Sequence, residues 1–203
     1  MVAARGALSI CVRHHGPTYV KTLLSLDQLR SFIPVLRDLF AHVERVLASL
    51  PPDLQFKRPQ IPSALSESLA AHLLNSGRLG TRLSVTPSRS GGDLEFARAA
   101  GGPGKLEVKG TGPAAFQQFG AKDLAADVLV WLHFDNFFST PSTKSITVHF
   151  LAKPAAVIAA PSKMQLPQFL ELPGVHSTKV NLVEFLGLQR PNGLTTSGAG
   201  RDA

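Results

Sequence analysis

The chain has 203 residues, 44% of them hydrophobic, and carries 21 Lys or Arg against 14 Asp or Glu, a formal net charge of +7. That length and apolar content suit one domain with a sizeable core and exclude a disordered chain. No apolar run reaches the roughly 18 residues needed to cross a membrane, and the lone Cys11 excludes an internal disulfide framework and disfavours a cysteine-built zinc site. The basic excess is spread along the chain and attracts phosphate backbones without reading their sequence.

Met1 to Val12 holds only Arg5 before a short apolar stretch. It is a poor secretory signal, so a cytoplasmic protein is expected. Ala7 to Val12 reads as a short strand with Cys11 in the core, followed by a surface pair, His14-His15. Ser25 and Gln28 form a capping-box signature. From Leu29, apolar residues recur at three- and four-residue steps to Leu47, predicting an amphipathic helix of about six turns. Pro34 falls near its start and Pro51-Pro52 ends it. Its broad apolar stripe packs on the core or pairs with a partner chain, and the core is the favoured reading.

A second helix is predicted over Ser63–Ser76, with Ser63 as N-cap and Gly77 as its stop. Leu65, Leu69, Leu73 and Leu74 bury one side, and Glu67 lies off that stripe, either as an exposed helix residue or as a functional acid. Arg82 to Thr86 reads as a strand. Asp93 then opens a further strand, Leu94-Glu95-Phe96, and after a Gly/Ala/Pro-rich gap comes Lys105-Leu106-Glu107-Val108-Lys109-Gly110. This is a β-hairpin pattern. Glu107 and Lys109 stand two apart and project to one face, while Val108 points the other way into a core. An antiparallel return brings Asp93 beside them. Two carboxylates and an ammonium at one end of a hairpin suit metal-assisted phosphodiester hydrolysis.

Beyond the hairpin, Pro113 to Ala126 reads as helix or loop-plus-helix. Asp127 to Phe134 is nearly continuously apolar, the mark of a buried central strand, and Ile146 to Leu151 is a neighbouring strand. Met164–Leu172 and Lys179–Leu188 are predicted as two short helices, and 189–203 as a disordered tail. Asp123 and Asp127 flank the central strand, favoured as caps, with acids supporting the same end of the sheet as the other reading. His72, His133 and His149 lack metal-ligand spacing. Gly101-Gly102-Pro103-Gly104 precedes a strand and lacks a Walker lysine, so it is not a phosphate loop.

The succession of an acid-bearing helix, a strand-opening Asp and a Glu-x-Lys strand resembles the core of the PD-(D/E)xK nuclease superfamily, the restriction-endonuclease-like fold. The resemblance covers about residues 62–152, with Gly92 standing where the family pattern often has Pro before Asp93. It implies an α/β fold with a central mixed sheet flanked by helices, here one domain over 1–188 with an N-terminal helical element. It implies a Mg²⁺-dependent endonuclease, with Mn²⁺ able to substitute. Asp93, Glu107 and the Val108 carbonyl would hold the ion, Lys109 would be the catalytic lysine, and Glu67 an auxiliary acid. The role implied is a type II restriction endonuclease cutting double-stranded DNA as a homodimer. A Holliday-junction resolvase or DNA-repair nuclease would use the same site, and a non-catalytic nucleic-acid-binding module would carry the Glu-x-Lys as surface decoration.

Overall fold

The computed structural model describes residues 22–51, 58–80, 82–89, 92–99, 101–113 and 115–188. The readings of 1–21 (the Ala7–Val12 strand, Cys11, His14-His15) and of 189–203 lie outside them.

Helix α1 (Leu26–Ser49) begins as predicted: Ser25 accepts from the Gln28 amide, and the Gln28 side chain accepts from the Ser25 amide at 2.8 Å. Such caps are worth about 1 kcal/mol. Its apolar stripe is used only in part. Leu29, Ile33 and Leu36 are buried, whereas Phe32, Val35, Leu39 and Val46 remain exposed. Helix α2 (Ser63–Ser76) is capped by Pro62 rather than Ser63, without a side-chain hydrogen bond, because Pro supplies the extended φ/ψ that precedes a first turn. Gly77 closes it at φ +75°, in the left-handed region that glycine enters freely.

The molecule is α/β. Its main sheet has six strands in the order β1-β2-β3-β5-β6-β8. Strand β1 (Val85–Pro87) starts later than predicted and pairs antiparallel with β2 (Leu94–Ala97), which pairs antiparallel with β3 (Pro103–Thr111). The chain then makes β4 (Phe116–Phe119) and α3 (Ala121–Leu124) before entering β5 (Val128–His133) parallel to β3. Strand β6 (Ser145–Ala152) runs antiparallel beside β5. The sheet is therefore mixed, and β5 is the apolar central strand expected.

Two stretches read as helical carry strands as well. Met164–Leu172 begins as β7 (Ser162–Gln165), which pairs with β4 in a separate two-stranded sheet, and only then turns into α4 (Leu166–Leu170). Lys179–Leu188 begins inside β8 (Val175–Asn181), an edge strand on β6, before α5 (Leu182–Phe185). Short apolar runs do not separate the two periods, and cross-strand pairing decided them.

The main sheet is covered on both faces. Leu106, Val108, Val130 and Leu132 join α1, α2 and α5 in one core. Leu129 and Trp131 point the other way, into a smaller core with Phe119, Leu124 and Phe169. Alternation along β3 puts Leu106, Val108 and Gly110 on the α2 side and Glu107, Lys109 and Thr111 on the opposite side. Helix α2 approaches so closely that a Cβ on Gly110 would stand 2.1 Å from Ser66 Oγ and 3.0 Å from Ser66 Cβ.

Gly110→Ala should therefore destabilise by about 1–3 kcal/mol, and adding Ser66→Gly should recover much of that loss. Urea denaturation of the single and double variants checks this.

Candidate active site

Three elements converge where β2 ends. Strand β2 pairs with β3 only as far as Leu94 opposite Leu106. One step earlier, the Asp93 amide donates to the Leu106 carbonyl at 3.2 Å, and the Asp93 carboxylate accepts from the Val108 amide at 2.9 Å. A side chain thus takes over from the backbone ladder. A strand residue sends its N–H and C=O to the same edge, so the Val108 carbonyl leaves β3 on the side of Asp93.

Glu107, the β3 residue opposite Asp93, is 4% exposed. Its Oε1 accepts from Lys109 Nζ at 3.1 Å, and Lys109 Nζ also donates to Asp123 Oδ1 at 2.8 Å. Asp123 in turn accepts from the Gly120 amide through Oδ2, also at 2.8 Å. One carboxylate therefore both caps the turn into α3 and holds the lysine. Glu107 Oε2 is buried with no hydrogen-bond partner.

Burial and the neighbouring Asp93 charge push the Glu107 carboxyl up to about 7, against the opposing pull of Lys109, and the nearby Asp123 carboxylate adds to the push. Burial pulls the Lys109 ammonium down, but its bonds to Asp123 and Glu107 outweigh that and raise it. Burial pushes Asp123 up, yet Lys109 and the Gly120 amide outweigh it and lower it. Lys109 and Asp123 thus form a firm ion pair, and Glu107 is left short of positive charge.

These groups fit a hard divalent cation: two carboxylates and a carbonyl at one edge, one carboxylate oxygen buried and unpartnered, and a raised carboxyl that a cation would relieve. No cage of three or more His, Cys, Asp or Glu side chains occurs among the described residues, so the donor set is Asp93, Glu107 and the main chain at Val108.

The structure brings Asp93, Glu107, Val108 and Lys109 together and adds Asp123. Glu67 is buried at 5% exposure, which removes the exposed-helix reading. It lies on α2, the helix that packs through Ser66 on the face of β3 opposite Glu107 and Lys109. Asp127 serves elsewhere, accepting from the Lys105 amide at 2.7 Å and pairing with Arg98. The role of Asp123 was half legible: its place before the central strand marked a cap, but nothing in the spacing tied it to Lys109.

Beyond Lys109, Gly110, Thr111 and Gly112 open onto a cleft of about 370 Å³ that also holds Phe40, Arg58, Phe116 and Asp135. The cleft lies outside the carboxyl ends of the parallel pair β3 and β5, where open α/β sheets take their ligands. Next to it, Lys144, Lys179 and His133 line a smaller hollow. Nothing in the sequence marked these residues as lining one cleft. Family models, curated proteins and solved structures were compared with the chain, and none matches it.

A carboxyl raised on folding costs stability as it ionises. With divalent ions removed, the Glu107 contribution is intact below about pH 4.5 and is lost as pH rises through about 7. Glu107→Gln should therefore melt above the parent at pH 8 and near it at pH 5. Thermal melts in EDTA across that range check the sign.

Proposed function

We propose that this protein is a Mg²⁺-dependent endonuclease that hydrolyses phosphodiester bonds of double-stranded DNA, built on a restriction-endonuclease-like core and acting as a type II restriction enzyme. One observation carries the reading: Asp93 and the Glu107-Val108-Lys109 strand meet at one sheet edge, with a buried carboxylate oxygen left unpartnered. The order of elements supports it. Helix α2 leads into the β1-β2-β3 meander, and α3 carries the chain over to β5 parallel to β3. That is the succession expected from the resemblance.

Asp93, Glu107 and the Val108 carbonyl would hold the ion, which when bound neutralises charge on the scissile phosphate and lowers the pKa of the attacking water. The chain's own residues do the rest. Lys109 stays protonated, so it acts as a hydrogen-bond donor and counter-charge to the phosphate rather than as a base. Asp123 holds that ammonium in place. The cleft at Gly110–Gly112, which begins one residue beyond Lys109 on the chain, and the Lys144–Lys179 hollow would offer aromatic and cationic surface to bound nucleic acid.

Supercoiled plasmid and phage DNA incubated with Mg²⁺ test the reading. Discrete fragments are expected. Cleavage confined to four-way junctions would move the assignment to a resolvase, and absence of any cutting with Mg²⁺ or Mn²⁺ would overturn it.

Lys109→Met and Asp93→Asn should each abolish cleavage. The lysine change is not a neutral surface substitution, because Lys109 is 18% exposed at its side chain and pairs two acids. A loss of about 2 kcal/mol in stability is expected, and urea denaturation measures it. Mn²⁺ should raise the melting temperature of the parent and not of Asp93→Asn, with affinity rising as pH increases through about 7, where Glu107 loses its proton. Calorimetric titration in two buffers of different ionisation heat reads that proton release.

A further inference from the structure

Helix α1 has two apolar faces. Leu29, Ile33 and Leu36 are buried in the domain, and Phe40 packs on Phe138 with ring centroids 5.3 Å apart. On the other face, Phe32, Val35, Leu39 and Val46 are 38%, 62%, 48% and 44% exposed. With the exposed His42 between Leu39 and Val46, these residues step along the helix by alternating threes and fours. That is the seam spacing of a coiled coil. A lone exposed leucine needs no explanation, but a continuous stripe over two heptads marks an interaction surface.

The flanking charges say what covers it. Asp38 precedes Leu39 and Arg45 precedes Val46, so both lie on the same border of the stripe, one heptad apart. Among the described residues neither forms an ion pair. Arg45 donates only to the Ala41 carbonyl one turn back, and Asp38 acts on its neighbour Arg37. In a parallel pair of identical helices this border meets the opposite one, where Leu36 is buried and Val43 is uncharged. In an antiparallel pair the border meets itself. Layers of Val35 on Val46 and Leu39 on His42 then place Asp38 about 3 Å along the axis from Arg45 of the other copy, twice over by symmetry.

We propose that two copies of this chain associate antiparallel through the Phe32–Val46 face of α1, about a two-fold axis near residues 40 and 41. The helix is already folded on its own domain, so pairing needs no ordering of the helix. A seam of two heptads is a small interface, and the dimer should dissociate in about the micromolar range. This inference does not rest on the nuclease reading.

Sedimentation of the full chain from about 1 to 100 μM, with reductant to keep Cys11 out of disulfides, tests it. A reversible monomer–dimer equilibrium is expected. Leu39→Glu should shift it to monomer with the helical circular dichroism unchanged, since the side chain is exposed. Asp38→Arg should weaken association about tenfold, and the double exchange Asp38→Arg/Arg45→Asp should restore it. A monomeric parent throughout, or a dimer indifferent to Leu39→Glu, overturns the interface. A double exchange as weak as the single one overturns the antiparallel arrangement.

Discussion

The centre of this structure is one ammonium group shared by two carboxylates. Lys109 reaches Glu107 two residues back on its own strand and Asp123 on the crossover to the next. The sharing is unequal. Asp123 has a second donor in the Gly120 amide, whereas Glu107 has none at Oε2 and faces Asp93 as well. In a buried setting, a carboxylate with too few donors holds its proton. The fold therefore keeps an acid near neutrality at the end of a hairpin, in a position that a divalent ion would discharge. A structural ion pair has no need of that imbalance, since placing a donor at Oε2 would remove it.

The arrangement depends on where β2 stops. Had β2 continued to pair with β3, the Val108 amide would be spent on a backbone carbonyl and the edge would be closed. Instead Asp93 supplies the acceptor from its side chain. Gly92, at φ +94°, lets the chain turn into that position. On the far side of β3, Gly110 and Ser66 bring α2 into near contact, which fixes the strand from beneath. The two faces divide the work: α1 and α2 make a largely apolar support on one, and the charged row stands on the other beside the small Phe119–Trp131–Phe169 core.

That division explains which parts were legible in the sequence. The α1 capping box, the hairpin and the apolar run of β5 are local patterns, and each formed where the residues implied. Glu107, Val108 and Lys109 could be placed because strand alternation is a rule about neighbours. Asp93 could be placed because a hairpin return is short. Helix α2 is different. It is buried nearly all round, Ser66, Glu67 and Ser68 included, so the leucine stripe did not identify its single inward face, and the orientation of Glu67 could not be read from it. Strands β4, β7 and β8 were illegible for another reason. Each is a short segment whose partner lies far along the chain, and four residues such as Phe116-Gln117-Gln118-Phe119 satisfy either period until a partner strand is present.

The same limit applies to Asp123, and it bears on how the site came to be assembled. Its position three residues after Gly120 is enough to explain it as a cap, and that explanation is true. It is also incomplete, because a cap uses one carboxylate oxygen and leaves the other free. The parallel crossover from β3 to β5 must return past the site to lay Trp131 beside Lys109, and the turn it makes there carries Asp123 to the ammonium. A single residue then ties the end of the crossover to the charge it encloses, so loosening that turn would release Lys109 at the same moment. The geometry of the lysine is in this sense a property of the β3-α3-β5 connection, and not of the Glu-x-Lys triplet on which a sequence reading must rely.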